Sequence, residues 1–407
     1  MKTCLVCDNT LEEFIDFGKQ PIANGFLHKN QFCDEFFFHM KVAFCPNCKM
    51  VQLVEQPDRE QMFHENYSFL SSTSTYMKKH FEDFSSNIMN LQKINQNSFV
   101  VEIGCNDGIM IENFKKKNIP HLGIEPSKNV ADIARKKGIN ITNEFFDIKL
   151  AKNVIQKYGR ADAIVSANVM CHIPYIHSIF EGITQLLKED GTFVFEDPYV
   201  GDIIQKASFD QIYDEHTFLF SVMSVSYLAS IHNLEVIDTN YQITHGGSMR
   251  YTLAHKGKKT ISKSVKEQLQ KEKELGLNTL KVYQEFTDKV IIVKNDLMKL
   301  LNKLKNENKK IVAYGATSKS TTVTNFFGIT SEHIECIYDT TPTKYDKFSP
   351  GAHIPIIPYD KFRESKPDYV VLFAWNHAKE IMEKEKEYMD KNGIKWIMYV
   401  PDVKVIN

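Results

Sequence analysis

The stretch FVVEIGCNDGIMI, residues 99–111, restricts the fold more than any other part of this 407-residue chain. An apolar run, Phe99–Ile103, passes directly into Gly104-Cys-Asn-Asp-Gly108 and then into a helix-forming segment, IMIENFKKK. A short continuous apolar run reads as a parallel strand buried on both faces. Strand, glycine turn and helix open a doubly wound α/β sheet, because glycines let the backbone turn sharply and pass close to a ligand. The alternation continues. HLGIEPS (121–127) is a second strand tipped by Glu125, ADAIVSANVMCHIP (161–174) a fourth ending near Asn168, with His172 just beyond, and GTFVFEDPYV (191–200) a fifth. Ligands of such sheets bind outside the carboxyl ends of the strands, so these residues converge on one crevice.

The glycine spacing is not the dinucleotide fingerprint GxGxxG. From Glu102 to Gly108 the pattern is E-x-G-x-x-x-G, which resembles the first motif of S-adenosylmethionine (SAM) methyltransferases. The resemblance implies SAM as cofactor, with its amino acid end in the loop of Glu102, Gly104, Asn106 and Gly108. Glu125 is placed to accept the ribose hydroxyls. Asn143 and Phe145, in NEFFD, stand where this class contacts adenine, and Asn168 closes the set.

A second strand–glycine–helix unit lies in KKIVAYGATSKSTTV (309–323), where Gly315 and Ala316 precede a helix start rich in Ser, Thr and Lys319. Helix N-termini attract phosphate through unpaired N–H groups and the helix dipole. ECIYDTTPTK (335–344) gives a strand tipped by Asp339, and DYVVLFAWNH (368–377) and KWIMYVP (395–401) give two more. The acidic tip makes NAD a rival ligand here. The missing GxGxxG opposes it, and a nucleoside diphosphate on the substrate would use the same physics. Between the two units Phe286, Val290, Val293, Leu297, Leu300, Leu301 and Leu304 recur at three- and four-residue steps. That spacing predicts one long connecting helix within 261–308, interrupted near Gly276.

Cys4 and Cys7, then Cys45 and Cys48, form two CxxC knuckles that can present four thiolates tetrahedrally to Zn²⁺. So short an N-terminal segment buries little core, and a metal supplies the missing folding free energy. A four-cysteine set leaves no open position, so this zinc is expected to be structural. The segment between the knuckles, IDFGKQPIANGFL onward, is expected to loop out irregularly. Cys33 reads as a spare thiol; Cys105, Cys171 and Cys336 read as core residues. The net charge of −1 disfavours a nucleic-acid partner, and no apolar run reaches membrane-spanning length. The N-terminus lacks a signal-peptide core, so the expectation is a cytoplasmic protein; a monomer is expected as well.

One cluster is left over. QIYDEHTFLF (211–220) sets Tyr213, Asp214, Glu215 and His216 inside an apolar run, where unpartnered polar groups are costly. The order of knuckles, YSFLSSTSTYMKKH (67–80), VVEIGCNDG, NVMCHIP, YDEH, HGGSMR and AYGATSKS resembles the C-methyltransferases of deoxysugar biosynthesis, over essentially the whole chain. Those enzymes methylate carbon 3 of a nucleotide-linked 4-keto-6-deoxy sugar. The resemblance implies a zinc-binding module (1–66), a central Rossmann-like SAM methyltransferase domain (67–255) and a second Rossmann-like α/β domain (256–407) that holds a nucleotide sugar carried by dTDP or GDP. It makes His216 the base, with Tyr213, Glu215 and His172 lining the sugar and Tyr67 near the methyl donor. The substrate contacts it suggests are Gly246, Gly247, Ser248 and Arg250, then Gly315, Ala316, Lys319, Asp339, His353, Trp375 and Asn376. Asp214 is expected to point away from its neighbours. A sugar O- or N-methyltransferase is the alternative, with the same cofactor and a different accepting atom.

Overall fold

A computed structural model of the chain describes residues 2–58 and 75–407. Three sheets organise it. The first has the order β1 (Glu12–Pro21), β2 (Phe37–Phe44), β3 (Val51–Leu53) and β9 (Phe218–Leu219), and is antiparallel throughout. The segment expected to loop out between the knuckles therefore begins as a strand. Its alternation was present in the sequence: Ile15 and Phe17 are buried and Asp16 between them is exposed. A register shift between Asp16 and Lys19, with Gly18 at φ 72°, bends the strand and masks the period. The last strand of this sheet comes from the residues just after the YDEH cluster, so the cysteine-bearing module is completed from the middle of the chain.

The central sheet runs β10 (Leu234–Gln242), β11 (Ser248–His255), β8 (Leu187–Pro198), β7 (Ala161–Ala167), β4 (Val100–Ile103), β5 (His121–Ile124), β6 (Ile141–Thr142). Strands β4 to β8 pair in parallel, and β11 is antiparallel to both its neighbours. Strand order reverses between β4 and β7, which opens a crevice at their carboxyl ends.

The third sheet runs β14 (Ile356–Pro358), β13 (Ile337–Asp339), β12 (Ile311–Tyr314), β15 (Tyr369–Leu372), β16 (Lys395–Met398), β17 (Lys404–Ile406), parallel except for β17. It reverses between β12 and β15 and so repeats the crevice. The connecting region is two helices, Lys263–Glu274 and Leu280–Asn306, broken around Gly276 at φ 77°. Tyr283 on the longer helix stacks against Phe44, centroids 4.9 Å apart, and Thr287 donates to the Phe14 carbonyl. That helix thus packs across the first sheet, and one continuous apolar core joins Phe44, Val101 and Ile311. Among the described residues, no helix is long and apolar enough to cross a membrane.

Candidate functional site

Both crevices use the same local device. The Asn106 amide, just past β4, donates to the Glu125 carboxylate at 3.0 Å, and the Ser127 amide donates to its other oxygen at 2.8 Å. In the third sheet the Ala316 amide donates to Asp339 at 2.7 Å, as does the Thr341 amide. An acidic strand tip thereby ties down the glycine loop beside it. Gly104 has φ 70°, and a Cβ there would run into Val169, so no other residue fits.

The two crevices open into one cavity of about 1020 Å³. Gly104, Asn106, Glu125, Phe145 and Asn168 line one end. Ser318, Lys319, Lys344, Asn376 and His377 line the other, and Lys379 and Lys384 also belong to the lining. His172, Tyr213, Glu215 and His216 line the middle. The first end, with a carboxylate at a strand tip, an aromatic ring and a side-chain-free loop, suits SAM.

At the centre, His216 Nδ1 lies 2.6 Å from the Gln211 carbonyl and donates to it, which leaves the lone pair on Nε2. Burial, helped by His172 alongside, pushes the His216 pKa well below the ordinary histidine range. The two rings are nearly parallel, centroids 5.2 Å apart, and Tyr213 stands 4.0 Å from His216 on the same measure. Burial lowers the His172 pKa to about 4 and raises that of Tyr213, so the imidazoles stay neutral and the phenol stays protonated. Lys319 is half-buried near the carboxylate of Asp210; the partial loss of water lowers its pKa and Asp210 opposes the shift.

Two residues on this wall were not singled out by the sequence reading. Asn24 donates to Glu215 at 2.7 Å and accepts from Ser318 at 2.9 Å. Its neighbour Ala23 donates to Asp214 at 2.8 Å and accepts from Thr321. Asp214 is therefore turned away from the cavity, as expected. The one available signal for Asn24 was the Pro-Ile-Ala-Asn-Gly turn. His245 also lines the cavity, 3.3 Å from Asn168, with φ 54° and ψ 23°. A non-glycine residue held there marks a site the surroundings over-determine. It belongs to HGGSMR, of which only the later residues were singled out.

Several expected contacts stand behind the wall. Glu102 is buried beneath the loop, and burial raises its pKa well above the carboxylate range. Gly108 packs against Ile139, and Asn143 donates to the Glu125 and Pro126 carbonyls. Arg250 is taken up by Glu196, 2.7 Å away, and lies over the Phe84 ring. Glu196 also accepts from Thr244 and pairs with His80. Gly246 lies against Trp375, Gly247 against Asp202, and Ser248 donates to the Thr244 carbonyl. HGGSMR thus shapes the segment that carries His245. Gly315 abuts Ala374, Ala316 and Asp339 bond each other, and Trp375 donates to Asp210 at 2.6 Å, as Tyr399 does. His353 pairs with Glu35 at 2.7 Å and stacks on Phe32, on the boundary with the N-terminal module. Tyr67 lies outside the described residues.

The four knuckle thiols gather as one group within 4.8 Å, with Cys4–Cys48 at 3.5 Å and Cys7–Cys45 at 3.4 Å. Those separations are close to the ~3.8 Å edge of a tetrahedron built on Zn–S bonds of about 2.3 Å.

Residues 4–63 match a zinc binding domain family, 76–239 a methyltransferase domain family, and 243–401 the C-methyltransferase C-terminal domain family. The C-methyltransferase NovU of Streptomyces niveus is 28% identical over 410 residues, covering 99% of this chain and 96% of NovU. The ubiquinone biosynthesis O-methyltransferase of Nitrosococcus oceani is 27% identical over 100 residues, 24% of this chain and 42% of its own length. The crystal structure of magnesium protoporphyrin IX methyltransferase from Synechocystis, with bound SAM, matches at TM-score 0.34 and 10% identity, over 44% of this chain and 79% of that one.

Proposed function

We propose, on the premise that the chain is an S-adenosylmethionine-dependent C-methyltransferase with a structural zinc module, that it methylates carbon 3 of a nucleotide-linked 4-keto-6-deoxy sugar. The observation that carries this reading is a neutral imidazole, His216, midway along a cavity with a methyl-donor crevice at one end and a cluster of lysines at the other. A proton beside a ketone is weakly acidic, and a base removes it when the developing oxyanion is stabilised. His216 Nε2 takes the carbon-3 proton, and the electron pair shifts toward the 4-keto oxygen. Tyr213, held as a phenol, donates to that oxygen, or the neighbouring His172 does. Glu215, positioned by Asn24, accepts from a sugar hydroxyl or orients the ring. Lys319 and Lys344 offer cations, and the Ser318 end of the third-sheet helix offers its dipole, to the diphosphate. Bound SAM supplies an electrophilic methyl to the carbanion. Asn168, Glu125 and the Gly104 loop would hold the cofactor, and holding two reactants in register can remove several kcal/mol of barrier.

The test is incubation with SAM and a panel of dTDP- and GDP-linked 4-keto sugars, with mass spectrometry, NMR location of the new methyl and deuterium exchange beside the ketone. A methyl on carbon with exchange at the same carbon supports the reading. A methyl on oxygen or nitrogen replaces it with the O- or N-methyltransferase.

A further inference from the structure

Cys171, His172 and His216 bring one sulfur and two imidazole nitrogens within 4.8 Å of one another, and both histidines line the cavity. We propose that these three residues form a second metal site, for a borderline divalent cation such as Zn²⁺, and that an ion bound there inhibits the enzyme by occupying the lone pair of His216. The group differs from the knuckle set in the way that matters. Four cysteines close a tetrahedron, whereas three protein ligands leave a fourth position open toward the cavity. Sulfur and imidazole together suit zinc or cobalt and do not suit magnesium or calcium.

The supporting contacts are those of a ligand set. His216 donates Nδ1–H to a backbone carbonyl, the arrangement that fixes a metal-binding imidazole with Nε2 free. The turn Met170–His172 is pinned because the Val169 and Cys171 amides both donate to the buried carboxylate of Asp197, at 3.1 and 3.2 Å. Both the thiol and the base ring are buried, so the ion would be shielded from bulk water. On binding, the Cys171 S–H bond breaks against the burial and the Asp197 contact that push its pKa well up, its proton leaves to solvent, and the thiolate pair is donated to the ion. A lone pair given to a metal cannot also accept a carbon-bound proton. The inhibitory half of the proposal rests on His216 being the base; the site itself does not.

The experiment uses the full chain, zinc-loaded at the knuckles, in a Cys33→Ser background that removes the exposed thiol. Cobalt(II) chloride is added anaerobically. The expected result is one cobalt per chain with a thiolate-to-cobalt charge-transfer band, together with turnover that falls in proportion to cobalt bound and returns with a weak chelator. Cys171→Ser should remove the band and weaken binding at least tenfold, and Cys171→Ser/His172→Asn should bind none. Cobalt uptake no greater than that of the double variant overturns the site. Cobalt bound as expected while deuterium exchange beside the ketone continues upholds the site and overturns His216 as the base.

Discussion

At the scale of single residues, His216 and His245 are both neutral rings in the same cavity, with different consequences. His216→Asn keeps a polar side chain and removes the proposed base. Turnover should fall by about 10²–10⁴-fold while SAM binding, measured by calorimetry, stays unchanged. Near-normal deuterium exchange in this variant would remove His216 from the base role. His245 bears on stability. Its pKa is lowered from 6.5 to about 3 by burial, with Lys319 adding to the shift and Glu196 opposing it. Between those values the unfolded chain binds a proton that the folded chain does not, so this residue costs stability as pH falls below 6.5. Asparagine tolerates the positive φ and does not titrate. Wild type should therefore lose about 2 kcal/mol more than His245→Asn between about pH 7 and pH 5. Parallel melting curves across that range would contradict the assignment.

At the scale of elements, the two strand–glycine–helix units were legible because their signals are local: an apolar run, a turn residue and an acidic tip within some thirty residues. Breaking the long helix at Gly276 was legible for the same reason. The first strand was not, since a bulge at Gly18 shifts the phase of its alternation. That strand matters because it delivers Pro21–Gly25 to the YDEH loop. Asn24 joins Glu215 to Ser318 and so connects the strand end, the loop and a helix start in one hydrogen-bond chain. Leaving a buried hydrogen-bonding group without its partner costs about 1–3 kcal/mol. Asn24→Ala should lower kcat by roughly ten- to a hundredfold through a mispositioned Glu215, with SAM affinity unchanged. Unaltered kcat would show that this chain of contacts does not position the carboxylate.

For the whole molecule, the zinc module cannot be a detachable appendage, because its sheet ends in β9, which begins two residues after His216. Stripping the metal with a strong chelator, or replacing Cys45 with Ser, is expected to abolish turnover and lower the melting temperature by several degrees. Retained activity in metal-free protein would show that the YDEH loop holds its place without the module. The chemistry written in short spacings was decided by sequence alone: four thiols for a metal, two glycine turns after buried strands, an imidazole among carboxylates. Such patterns depend on neighbours along the chain, where covalent geometry fixes reach. Which named side chains face the cavity was decided only by packing. Glu215 meets Asn24 across 191 residues and Ser318 meets Asn24 across 294. Arg250 is held by Glu196, and the half-buried His353 by Glu35, because a polar group leaving water takes the nearest partner the fold supplies, wherever that partner lies in the chain.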